Sequence, residues 1–200
     1  KKFPDVNLLM GVGNLTELTD CDSTGVNTVL MGIVSELNVK AVLVVQVSNH
    51  CSTSIKETDM ARRLMFFAKK NQRLPLGINN SLMCLKDRKV RRNEVEEITD
   101  LKNLIKDKNY RILLSDEKIH LLNKEIHKSG IDPYDFYESL NIGTDTSHAF
   151  YLGVELARAQ IALQLNKNYN QDNELTWGVI KKEEKIDYNT RPKLRSTQKK

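Results

Sequence analysis

No apolar run in this chain approaches the roughly 18–20 residues of a membrane span, and no basic segment leading into an apolar core opens it. Neither a spanning helix nor a secretory leader is expected. Cysteine is scarce and odd in number. Cys21, Cys51 and Cys84 lie far apart in sequence, which argues against a disulfide framework and for a reducing, cytoplasmic setting. No cysteine or histidine pair has the usual spacing of a zinc site, His120 and His127 being seven apart, so no metal is expected. Aromatic residues make up only 6% of the chain, and Tyr188 is the single one within its basic runs. A stacking surface for single-stranded nucleic acid would want such residues, so that class of partner is disfavoured. The net charge of +5 is itself local: residues 181–200 hold eight Lys/Arg against three Asp/Glu, a balance of +5 on their own. That tail is poor in apolar residues and is expected to be disordered. A second basic run, Lys86-Asp87-Arg88-Lys89-Val90-Arg91-Arg92, reads as a solvated face. The first residues are Lys1-Lys2-Phe3 without a methionine, which reads as a piece of something longer.

Hydrophobic residues at 40% and charged residues at 28% are ordinary for a globular protein, and 200 residues suffice for one or two domains with real cores. Their order is more telling. Val6 to Met10 is a short apolar run that stops at Gly11, and the apolar residues Val26, Val29, Leu30, Ile33, Val34 and Leu37 then fall on one helical face. Ala41 to Val45 is apolar throughout, as expected of a parallel strand buried on both faces. A parallel pair needs a crossover, so this stretch reads as a βαβ unit. Ligands collect at the carboxyl ends of such strands, which places Gly11 through Asp22 and Gln46 through Ser54 on one rim.

Ser54 and Glu57 have the spacing of a capping box for a helix lined by Met60, Ala61, Leu64, Met65 and Ala68, which should end near Lys70, before the pre-proline Leu74. Beyond it the pattern becomes mixed. A strand is expected over 79–85 and a charged helix over 91–107. A hairpin is expected around Ser115-Asp116-Glu117, then a helix start at Asp132-Pro133. A helix capped by Asp145 should run to about Leu165 with a buried stripe at Ala149, Leu152, Leu156, Ala159 and Leu163, followed by a strand over 174–180. The expected architecture is α/β followed by α+β, with domains at 1–75 and 76–180 and the basic tail beyond.

The stretches Phe3-Pro4-Asp5, Leu9-Met10-Gly11-Val12-Gly13-Asn14-Leu15-Thr16-Glu17-Leu18 and Thr19-Asp20-Cys21-Asp22-Ser23-Thr24-Gly25, with the helix from Ser54, resemble the pterin-binding barrel family. That family includes dihydropteroate synthase and the methyltetrahydrofolate methyltransferases. Ser147-His148-Ala149-Phe150-Tyr151-Leu152-Gly153 and Asn168-Tyr169-Asn170-Gln171-Asp172 are similar to the tail domain of archaeal dihydropteroate synthase-like members. The resemblance implies that residues 1–75 are the last two βα units of a TIM-type barrel. An eight-unit barrel takes about 250 residues, so the remaining segments would lie upstream or in another chain, and this chain alone would be inactive. It further implies a reduced pterin of folate or methanopterin type as ligand, and transferase chemistry in one-carbon metabolism.

Within that resemblance Asn14 is the candidate catalytic residue. An asparagine after the equivalent strand of the methyltransferases hydrogen-bonds the pterin ring, a task suited to a side chain that both donates and accepts. Alternatively Asn14 tolerates a left-handed turn. Gly11 and Gly13 permit close backbone approach to a ligand or simply end the strand. Glu17, Asp20 and Asp22 could orient an amine substrate or a metal, or be a solvated loop with Asp22 or Ser23 capping the next helix. Asn49 and His50 face the same rim, and a histidine there could bind an anion or act as acid or base. Dihydropteroate synthase carries Ser-Arg-Lys in the first loop, where this chain has Gly13-Asn14-Leu15, and Arg-x-His in the last, where it has Gln46-Val47-Ser48. These departures favour pterin binding over pterin-diphosphate condensation. They leave a non-catalytic binding or regulatory module as the alternative.

Overall fold

A computed structural model describes residues 6–182; Phe3-Pro4-Asp5 and the tail from 183 onward lie outside the described residues. The chain forms two compact units, one of residues 6–84 with 177–182, the other of residues 85–176. Among the described residues no helix is long and apolar enough to cross a membrane.

The first unit runs β1 (Leu9–Gly11), α1 (Gly13–Glu17), α2 (Ser23–Glu36), β2 (Ala41–Leu43), a 3-10 turn (Asn49–Cys51) and α3 (Ser54–Lys70). β1 and β2 pair in parallel, Leu9 opposite Ala41 and Gly11 opposite Leu43. Met10, Val12, Val42 and Val44 turn to one side and pack with Leu30, Met31 and Val34 of α2 and Ala61 of α3. The other side is bare. Leu9 is 67% exposed and Leu43 59%, so the expectation that Ala41 to Val45 is buried on both faces is corrected. Two strands have a second face, and no described residue covers it.

Both long helices of this unit end alike. Asn38 and Gln72 adopt positive φ (54° and 49°), and the next amides, Val39 and Arg73, reach back to the carbonyls of Val34 and Ala68. That is a Schellman closure with a non-glycine residue at the left-handed position. The segment expected as a strand over 79–85 is irregular. Asn79 Oδ1 accepts from both the amide and the hydroxyl of Ser81, and the Met83 amide turns back to the Asn80 carbonyl. The local polar side chain thus outcompetes an extended ladder.

The second unit contains α4 (Val95–Leu104), β3 (Arg111–Leu114), β4 (Ile119–Leu122), β5 (His127–Gly130), a 3-10 helix (Pro133–Ser139) and α5 (Thr146–Gln164). The three strands form an antiparallel meander in the order β3-β4-β5. Alternation sends Ile112, Leu114, Ile119 and Leu121 into one core with Phe136, Leu152, Leu156 and Ala159. Leu113 and Leu122 face the opposite way, towards Ile98, Leu101 and Ile105. The sheet is therefore covered on both faces. The cap of α5 is as the sequence suggests, with Asp145 accepting from the His148 amide. Asp132-Pro133 does open a helix, but a 3-10 one closed by a reciprocal box with Asp135. The strand expected over 174–180 is absent; those residues are irregular. Gly178, at φ +64°, lies so close to the carbonyls of Ser81 and Met83 that a Cβ there would sit under 3 Å from both.

Candidate functional site

The rim at the carboxyl ends of β1 and β2 is built by α1 and the loop 44–53. Gly13 is required there for space: a Cβ at this position would overlap Val45 Cγ2 and crowd the Val45 backbone nitrogen. Only glycine lets α1 start against β2's extension, whereas a Cβ on Gly11 would meet nothing within 4 Å. Thr16, buried, donates its hydroxyl to the Gly13 carbonyl (3.0 Å) and so tightens the short helix.

α1 is tied to the second loop by two devices. The Glu17 carboxylate accepts from the backbone amides of Val47 (2.7 Å) and Ser48 (2.8 Å). Hydrogen bonds from the Ser48 side chain and these two amides hold its pKa below the ordinary value. The Thr16 carbonyl lies 3.1 Å from His50 Nε2 and accepts from Cys51 Sγ at 3.3 Å. Burial pushes the Cys51 thiol up, which makes it a poor nucleophile. Glu17 and His50 are thus brought together on the rim by bonding to backbone. Asn14 sits one turn earlier on α1, exposed, and its amide has no partner among the described residues. Asn49, Asp20 and Asp22 are exposed as well, and Asp22 occupies the N-cap position of α2 without making a capping bond.

Beneath the rim lies a carboxylate whose role the spacing misread. The Ser54–Glu57 capping box does not form, because Thr53 takes the N-cap position. Glu57 is buried and accepts instead from Thr53 Oγ1 (2.6 Å), Ser23 Oγ (2.8 Å) and Asn27 Nδ2 (2.8 Å). It sits in the first turn of α3 and bonds to the first residue of α2, where free amides and two helix dipoles favour negative charge. Ser23, one expected cap, is spent on this bond.

In the second unit polar residues of the stretches 147–153 and 168–172 form a cluster around Glu155, which belongs to neither. This carboxylate is 1% exposed and accepts from Arg158 Nη1 (2.8 Å), Tyr169 Oη (2.9 Å) and the Asp172 amide (3.2 Å). Tyr151 donates to Asp172 Oδ1 and accepts from Gln171 Nε2, both at 2.8 Å. Burial, reinforced by the neighbouring carboxylates, raises the pKa of both tyrosines well above the ordinary phenol value. Gln171 also accepts from the Ile112 amide and donates to the Tyr110 carbonyl, standing in for a strand beside β3. His148 packs its ring edgewise on Tyr110, with centroids 6.0 Å apart, and Ser147 is exposed. The cluster is a saturated scaffold pinning 169–172 to α5 and β3. A carboxylate on the apolar stripe of a helix, between Leu152 and Leu156, was the signal for it.

A family model described as PterinBD-DUF4346 matches residues 134–172, the segment that carries this cluster. The chain is also similar to the uncharacterized protein MJ0107 of Methanocaldococcus jannaschii, 34% identical over 199 aligned residues covering 88% of this chain. The match spans 37% of that relative's length. No solved structure matches.

Proposed function

We propose that this chain is the closing part of a pterin-binding protein. In this reading β1, α2, β2 and α3 are the last two βα units of a TIM-type barrel, and residues 85–176 are its appended α+β domain. A reduced pterin of folate or methanopterin type lies against the rim, with the Asn14 amide as its main contact. The observation that carries the reading is the match of residues 134–172 to a family model whose description contains a pterin-binding domain. The rim supports it by chemistry: a pterin edge alternates donors and acceptors, and Asn14 offers one of each with neither engaged. Gly11, beside the bare face of β1, leaves room for a ring to approach. Asn49, Asp20 and Asp22 supply further polar groups around it.

One-carbon transfer or carbon–nitrogen bond formation is the chemistry this site would perform as an enzyme. Binding without turnover is the second reading, and a specific observation favours it. Glu17 is held by two backbone amides and His50 Nε2 lies against a backbone carbonyl; both side chains are committed to tying α1 to the loop, and only His50 Nδ1 is left without a partner among the described residues. Calorimetric titration of a tetrahydropterin into the full-length protein, wild type and Asn14→Ala, tests the proposal. Weakened binding with unchanged folding supports it, and equal affinity removes Asn14 from the site. Pterin-dependent turnover that collapses in the variant, with binding only modestly reduced, would decide for the enzyme.

A further inference from the structure

Away from the rim, the β4–β5 hairpin assembles a histidine pair that the pterin reading does not use. In sequence His120 and His127 have no ligand-like spacing. The strand register changes this. His120 stands opposite Ser129 and His127 opposite Leu122, so the pleat sets both on one face as diagonal neighbours. His120 Nδ1 is 3.1 Å from His127 Nε2, with ring centroids 5.3 Å apart and planes tilted by 38°. His120 is only 4% exposed, while His127 is open to solvent.

The far nitrogen of His120 has a partner of its own, the Ser115 hydroxyl. His120 Nε2 is 3.0 Å from Ser115 Oγ, which also lies 3.3 Å from the Lys118 carbonyl, an oxygen that accepts from the Ser115 amide at 3.0 Å as well. In the tautomer with hydrogen on Nε2, His120 donates to Ser115 Oγ, whose own proton turns to the Lys118 carbonyl, and Nδ1 keeps its lone pair pointing at His127. A ring nitrogen held bare by a hydrogen bond at the opposite nitrogen is the arrangement found behind metal-ligating histidines.

We propose that His120 Nδ1 and His127 Nε2 are the two protein ligands of a site for a divalent transition-metal ion of the nickel, copper and zinc group. Imidazole nitrogen suits these ions best. Without metal, His127 Nε2–H donates to His120 Nδ1. The ion takes that proton's place, and His127 carries its hydrogen on Nδ1 instead, so two neutral rings remain two neutral rings. Nitrogens about 2.0–2.1 Å from a zinc ion stand roughly 3.3 Å apart at a tetrahedral angle, a few tenths more than the present separation. The exposed His127 ring has only to swing off the line of the hydrogen bond. Remaining coordination positions are open to water or to an external ligand. The Lys118 ammonium, whose charge reaches His120, opposes a cation and limits the affinity.

The test is isothermal titration of nickel(II) chloride into the full chain at neutral pH, with melting temperature followed in parallel. Wild type should take up one equivalent at this site with a rise in melting temperature. His127→Ala, at an exposed position, should fold normally and bind on the order of a hundredfold more weakly, having lost the second tethered ligand. Ser115→Ala should bind about tenfold more weakly through loss of the supporting hydrogen bond. His120→Gln provides an independent ligand deletion. Binding that is unchanged in His127→Ala, or no uptake by the wild type, would overturn the proposal and leave a hydrogen-bonded pair only.

Discussion

The two sheets of this molecule differ in how far they are covered. The three antiparallel strands of the second unit have a core on each face, one built on Phe136 and α5, the other on Ile98 of α4. The two parallel strands of the first unit have helices on one face and Leu9 and Leu43 bare on the other. Burying a leucine side chain is worth about 1.5–3 kcal/mol, and the first unit forgoes this at each. Parallel sheets are as a rule covered on both faces. The contrast teaches that the second unit covers its own strands on both faces, while the first leaves one face of its strands without a cover among the described residues.

The sharpest way to break that comparison is a matched pair of truncations. Phe136→Ala should cost about 3–5 kcal/mol in chemical denaturation, as expected for a buried aromatic. Leu43→Ala should change stability by no more than about 0.5 kcal/mol in this chain, as at other surface positions. Equal costs would mean that the bare face is covered after all. Next in size, Gly13→Ala should destabilise the first unit by about 1–3 kcal/mol through overpacking against Val45, whereas Gly11→Ala at the open strand end should not. Tyr169→Phe, which leaves the buried Glu155 one donor short, should cost the second unit about 1–3 kcal/mol.

The smallest expected effect is electrostatic. Hydrogen bonding to Arg111 holds the Asp107 carboxyl at about 2. Its folded value lies below the unfolded one, so the unfolded chain binds the proton first as pH falls. The stabilisation is complete above the ordinary carboxylate range and is lost as pH drops towards 2. Asp107→Asn should flatten that part of the stability–pH curve, measured by denaturation at successive pH values. An unaltered curve would assign the acid sensitivity elsewhere.

Elements that carry their own pattern were legible in the sequence. α3 shows its apolar stripe, α5 shows one at Leu152, Leu156 and Ala159 although Ala149 is exposed, and the β3–β4 hairpin shows alternation around a turn. β5 was not legible, because His127-Lys128-Ser129-Gly130 has no apolar alternation and becomes a strand only beside β4. The reverse error occurred at 79–85, where an apolar run without a strand partner was overruled by Asn79. The candidate site divides in the same way. The rule that ligands gather at strand ends was enough to select the rim residues from sequence. The tasks of Glu17 and His50 were hidden, since their partners are backbone atoms some thirty residues away. Glu57 was misassigned because spacing within α3 cannot reveal Ser23 and Asn27 on α2.

The family match lies in the second unit and the proposed pterin rim in the first, so the decisive measurement is one that locates the ligand. Amide hydrogen exchange of the full-length protein, with and without a saturating tetrahydropterin, does so residue by residue. Slower exchange at residues 11–22 and 44–53 is the result this account predicts. Slowing confined to 134–172, or no change anywhere, would contradict it.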